Sequence, residues 1–132
     1  MGNPTQITSL KIPTVTLTAA RTLTDADSGI TFVIGAAATA AITLPKPKNG
    51  LKFRFVTGFA ITGNWTVGTN AAATIIQGPL TIAGLIVAGS NEKTVTFVNT
   101  ADSLGDWVNL ESDGTYWYVS GVGEKSGSIT LT

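Results

Sequence analysis

The chain has no cysteine and no histidine, and only 12% of its 132 residues are charged. Without cysteine there is no disulfide, no thiol nucleophile and no thiolate metal ligand. A disulfide-free chain suits either redox environment, so cysteine usage does not assign a compartment. Without histidine the commonest general base and the commonest transition-metal ligand are both missing. The few charges balance, eight basic against eight acidic. A binder of nucleic-acid backbone needs a concentrated basic surface, so no nucleic-acid partner is expected. Long apolar runs are also missing. Residues 29–44 are rich in apolar side chains but are interrupted by threonine. They also fall short of the ~20 residues that cross a bilayer, so no membrane role is expected. The opening MGNPTQITSLKIP lacks a basic region followed by an apolar run, so no signal peptide is read and cytoplasmic synthesis is expected.

What is present favours strands and turns. Threonine is the most frequent residue, followed by glycine and alanine. Threonine with valine and isoleucine suits a pleated, half-buried surface, whereas glycine, asparagine and aspartate punctuate it. No stretch carries a helical apolar period with caps. The expected fold is all-β: a single-domain antiparallel sandwich or barrel of roughly eight to ten short strands. Residues 1–20, with Pro4 and Pro13, read as an extended N-terminal arm or edge strand, and residues 21–132 as the β domain. Strands are expected over residues 30–34, 41–44, 51–56, 75–77 and 94–98, with another starting at residues 63–67 and a last edge strand within residues 126–132. In the third of these, Leu51, Phe53 and Phe55 face inward and Lys52 and Arg54 outward. Residues 80–87, interrupted by Gly84, read as a bulged strand.

The most ordered pattern is GDWVNLESDGTYWYVSG, residues 105–121. Asp113-Gly114 suits a two-residue type I′ turn, which needs positive φ at both central residues. Counting outward from that turn, Leu110 faces Trp117 and Val108 faces Val119 on a core face. Asn109 then faces Tyr118, and Glu111 faces Tyr116, on a wetter face. Two of the three tryptophans and both tyrosines lie in this hairpin, so it is expected to anchor the core. Trp107, Tyr116 and Tyr118 are the aromatic candidates for a subunit interface or a glycan platform, set against simple coverage by a second layer of the domain.

Chemistry-bearing clusters are few. Asp25-Ala26-Asp27-Ser28-Gly29 resembles half of a calcium loop, but the chain reaches no further acid until Glu92, so it reads as a turn and no metal is expected. Asp106, Glu111 and Asp113 lie near aromatics, as a glycosidase carboxylate pair would. Hairpin and turn geometry account for Asp113 and Asp106, so no catalytic residue and no cofactor are assigned. Lys46, Lys48, Lys52 and Arg54 read as a solvated basic face beside a turn.

Four segments together, LTDADSGITFVI, AITLPKPKNGLKFRF, IIQGPLTIAG and TVTFVNTADSLGDWVNLESDGTYWYVSG, resemble the small all-β structural proteins of tailed bacteriophages, especially head decoration (cement) proteins. The resemblance runs over about residues 23–121 and is most specific in the LP…NGLKFRF segment and the aromatic hairpin. It implies a non-enzymatic virion protein on the capsid surface, commonly a homotrimer, that binds the major capsid protein and stabilises the assembled shell. It also implies an N-terminal segment that contacts the capsid, for which Ile7, Leu10, Ile12, Val15 and Leu17 are the candidates here. Similar aromatic hairpins occur in tail-fibre and head-fibre modules. The alternative implied is therefore a module that binds host-surface glycans through Trp107, Tyr116 and Tyr118.

Overall fold

In a computed structural model that describes residues 11–132, the chain folds as an all-β sandwich of two mixed sheets. The first six strands are β1 (Thr14–Leu17), β2 (Arg21–Thr22), β3 (Thr31–Ile34), β4 (Ala40–Thr43), β5 (Asn49–Thr57) and β6 (Trp65–Gly68). They are followed by β7 (Ile76–Gln77), β8 (Leu80–Ile82), β9 (Leu85–Val87) and β10 (Thr94–Phe97). The last three are β11 (Trp107–Asp113), β12 (Trp117–Gly123) and β13 (Ile129–Leu131). The larger sheet runs β1-β3-β5-β11-β12-β8-β9, with β7 also paired to β12, and the smaller runs β13-β10-β6-β4-β2. Neither sheet closes on itself, which decides for a sandwich over a barrel.

The first half of the chain is a coil. Successive strands alternate between the sheets, so β1, β3 and β5 stack in parallel in one while β2, β4 and β6 stack in parallel in the other. Parallel neighbours need a crossover, usually a helix. Here the crossover is a strand of the opposite sheet, which is how the sheets come to be mixed and not antiparallel throughout. Equivalent positions recur on each turn of the coil. Leu17, Ile34 and Thr57 are in register, as are Val15, Phe32 and Phe55, and all six side chains point towards the core. Phe32 and Phe55 stack with centroids 5.6 Å apart and planes at 19°. Gly35 and Gly58 occupy the same rung, donating to the carbonyls of Leu17 (2.8 Å) and Ile34 (3.0 Å). A Cβ at either would collide with the strand beneath, at Thr16 or Val33.

The second half is antiparallel around β11, whose core face carries Val108 and Leu110 opposite Phe55 and Phe53. Trp117 is fully buried, with its ring 5.7 Å from that of Phe53. The smaller sheet covers this face with Ile42, Trp65, Val67, Val95, Phe97 and Ile129. Burial of each such large side chain contributes about 1.5–3 kcal/mol, so these two faces hold the domain together.

Two local expectations change. The β11–β12 pairing puts Ser112 opposite Trp117, Glu111 opposite Tyr118 and Leu110 opposite Val119. That is two residues away from the register a two-residue Asp113-Gly114 turn would set. Gly114 has φ +97°, but Asp113 is not among the positive-φ residues, so the type I′ turn does not form. The Asp113 carboxylate instead accepts from the backbone N–H of Thr115 and of Tyr116, each at 2.8 Å, and the loop widens to residues 113–116. An even shift keeps every side chain on its face, so the core assignment of Val108, Leu110, Trp117 and Val119 stands. The second change is at residues 80–87. These form a tight hairpin, not a bulged strand, with Leu85 opposite Ile82 and a two-residue turn at Ala83 (φ +51°) and Gly84 (φ +77°).

Candidate functional site

The outer face of the larger sheet is the surface the smaller sheet does not cover, and the registers order it into rows. One row crosses seven strands: Thr16, Val33, Val56, Trp107, Val122, Thr81 and Ile86. It is apolar over most of its length. It ends at the edge strand β9, where Leu85 and Ile86 are 71% and 79% exposed. An exposed apolar edge strand is a ready template for association, and natural edges are usually blunted by charge or proline. This one is not blunted by charge, since residues 55–91 contain no charged side chain.

The next row is polar: Thr14, Thr31, Arg54, Asn109 and Ser120. Arg54 places its guanidinium carbon 4.5 Å from the centroid of the Trp107 ring and donates to Asn109 Oδ1 at 3.2 Å. One face of Trp107 is therefore already occupied by a cation. A third row holds Lys52, Glu111, Tyr118 and Gln77, with Lys52 Nζ 3.2 Å from a Glu111 carboxylate oxygen. Both partners are solvent-exposed, so this pair adds little to stability.

Tyr118 and Tyr116 close the hairpin end of the face, 47% and 37% exposed, with centroids 6.4 Å apart and planes at 55°. Tyr118 donates its hydroxyl to Asp113 at 2.7 Å. The N–H of Tyr116, the hydroxyl of Tyr118 and the N–H of Thr115 hold the Asp113 carboxyl below the usual carboxylate range. The same hydrogen bond holds the Tyr118 phenol above its ordinary value. This constellation is a loop lock, because each polar group in it is spent on the hairpin.

The sequence candidates divide on this map. Trp107, Tyr116 and Tyr118 do share one side of the larger sheet, but Trp107 sits under Arg54 while the tyrosines sit at the loop. Asp106, Glu111 and Asp113 form no shared centre. Asp106 is buried, accepting from the N–H groups of Ser103 and Glu124 at 3.0 Å each, and so ties two loops together. The Asp25-Asp27 segment is a single 3₁₀ turn. Its carboxylates pair with cations: Asp27 with Arg21 at 2.9 Å, and Asp25 with Lys48. Among the described residues no cluster of three or more acidic side chains is placed to hold a metal. No helix among the described residues is long and apolar enough to cross a membrane.

Of the arm candidates, Leu17 is buried in the chain's own core and Val15 packs against that core. β1, which carries both, is an edge strand of the same sheet. These two side chains are therefore not available to a partner of the folded domain. Ile12 is exposed, and Ile7 and Leu10 lie outside the described residues. Sequence reasoning missed the Arg54–Asn109 pair, because it depends on two strands 55 residues apart in the chain coming side by side. It also missed Leu85 and Ile86, whose only signal was the weak Ala83-Gly84 turn. In comparisons with known proteins, no family model, curated protein or solved structure matches this chain.

Proposed function

We propose that this chain is a non-enzymatic structural protein of a tailed-bacteriophage virion, a decoration protein that binds the outside of an assembled head and stabilises it. The observation that carries this reading is the uncovered outer face of the larger sheet. An apolar row runs across it from Val33 to Ile86 and ends in an uncharged, exposed edge strand. The segments that resemble phage decoration proteins include β5 and the β11–β12 hairpin, which build the middle of this face. Such a protein works by mass action. It binds the assembled shell and not its free subunits, and so shifts the assembly equilibrium. Repetition over a symmetric lattice lets modest contacts act together. The partner in this reading is the major capsid protein, and the decoration unit is a homotrimer.

The exposed Tyr116 and Tyr118 favour a second reading, a fibre module that uses the hairpin end on host-surface glycans. Co-sedimentation separates the two. The purified protein is mixed with undecorated phage heads in one arm and with host cells or their surface polysaccharide in the other, and its solution mass is measured alone. A trimer that pellets with heads, and loses this when Leu85 and Ile86 are both changed to Ser, supports the decoration reading. A protein that ignores heads and pellets with cells or polysaccharide overturns it.

A further inference from the structure

Two clefts of similar size flank Lys52 on the outer face, and their charges differ. The first, about 440 Å³, is lined by Asn49, Lys52, Glu111, Asp113 and Tyr118 among others, and its charges are internally paired. The second, about 420 Å³, is lined by Ile12, Gly29, Ile30, Thr31, Lys52, Arg54 and Asn109. It contains two cations, an amide and an apolar wall, and no carboxylate. Lys52 turns its ammonium to Glu111, whereas Arg54 is in no ion pair among the described residues. The contacts of the Arg54 side chain orient its guanidinium without neutralising it: the Trp107 ring at 4.5 Å and Asn109 Oδ1 at 3.2 Å. Stacking and a single hydrogen bond hold the planar fork in place, which lowers the ordering cost of meeting a carboxylate in two-point geometry. Elsewhere in the chain the other arginine, Arg21, already has its carboxylate, Asp27.

We propose that the cleft walled by Ile12, Ile30, Arg54 and Asn109 is a carboxylate-binding site that takes an aspartate or glutamate side chain from an acidic segment of a partner protein. The aliphatic stem of such a residue lies against Ile12 and Ile30 while its carboxylate meets Arg54. The chemistry favours a side chain over an acidic sugar, because the lining has no aromatic face and the Trp107 ring on which Arg54 stacks is covered on that side. That the partner is the phage capsid protein rests on the decoration reading above; the carboxylate chemistry does not.

The test titrates an acetylated, amidated tetraglutamate peptide into the full chain and follows the Arg54 Nε–H and Trp107 indole N–H resonances. Saturable shifts are expected that weaken with added salt, are absent with tetraglutamine and fall about tenfold or more in apparent affinity in Arg54→Gln. If Arg54→Gln does not fold, Arg54→Lys keeps the charge but loses the fork, and must still weaken the response. Equal responses to tetraglutamine, an unchanged response in the Arg54 variants, no saturable shift, or binding of glucuronate without binding of the peptide would each overturn the site. Co-sedimentation with heads keeps the two readings apart. If wild type pellets and Arg54→Gln pellets equally, this cleft is not the capsid contact and the decoration reading survives. If wild type itself does not pellet, the decoration reading fails, and the peptide titration alone decides the cleft.

Discussion

The two hairpins of the larger sheet look alike on paper and behave in opposite ways. β11–β12 carries Asp-Gly, a strong two-residue turn signal, yet closes through a four-residue loop. β8–β9 carries Ala-Gly, a weak signal, and closes through two residues with positive φ. In the first, side-chain chemistry overrides backbone preference: the Asp113 carboxylate collects two backbone N–H groups and a tyrosine hydroxyl that a tight turn would not offer it. In the second, the strand pairing of β8 beside β12 fixes the turn, and Ala83 accepts a left-handed conformation. They also differ in what they carry. The wide hairpin buries core side chains on both of its strands, Trp117 among them, while the tight one buries Leu80 and Ile82 on β8 but leaves Leu85 and Ile86 of β9 exposed at the sheet edge. Turn type and burial are thus set by separate causes.

The largest effect is expected at the wide hairpin's core face. Trp117→Ala removes a fully buried ring packed on Phe53 and should lower unfolding free energy by about 3–5 kcal/mol in urea titration, against almost nothing for Leu85→Ser. Equal losses for the two would erase the distinction between a core-bearing strand, β12, and a projecting one, β9. Gly84→Ala comes next. It forces a Cβ onto a backbone at φ +77° that faces open space, so strain alone is tested, and about 1–2 kcal/mol should be lost. Ala83→Asn works in the other direction. Asparagine tolerates φ near +51° better than alanine, so a gain of up to about 1 kcal/mol in thermal or urea unfolding is expected. No gain would mean that φ +51° at Ala83 carries little strain in this turn.

The smallest and most specific effect depends on pH. The folded-state pKa of Asp113 is lowered, so its contribution is present above the ordinary carboxylate value of 3.8 and is lost as pH falls below it. The pKa of Tyr118 is raised, so the shared hydrogen bond persists up to the ordinary phenol value of 10.0 and is lost as pH rises through the folded value. Amide protection factors at Thr115 and Tyr116, taken against the intrinsic exchange rate at each pH, should therefore be highest between these limits and fall on the acid side. Asp113→Asn should remove the acid-side change without altering the β11–β12 register. A shift of register in that variant would show that the carboxylate also chooses the pairing.

Much of this fold is legible residue by residue. Leu51, Phe53 and Phe55 alternate with Lys52 and Arg54, and the structure buries the first set and leaves the second on the outer face. The hairpin faces are equally legible, because a register error of two residues leaves side chains where they were. The coil is not legible. Nothing local in Thr14–Leu17 says that its neighbour will be Thr31–Ile34 in parallel, with a strand of the other sheet between them. The sequence therefore leaves residues 1–20 open between an extended arm and an edge strand, whereas β1 is an edge strand that buries Leu17 and packs Val15 against the core. The Arg54–Trp107–Asn109 group is hidden for the same reason, since its members meet only when β5 and β11 pair.

By itself the sequence determined the all-β class, the longer strands with the side of each that is apolar, and the absence of cysteine and histidine chemistry. These follow from local alternation and residue type, which act over a few positions. It did not determine the count of thirteen strands among the described residues, where roughly eight to ten were expected, since β2 and the division of residues 80–87 into β8 and β9 were not legible. Tertiary structure alone decided strand order, the parallel coil, the width of each hairpin and the placing of an unneutralised arginine beside an apolar wall. These depend on contacts between distant segments, whose free energy is gained only once the chain has closed on itself.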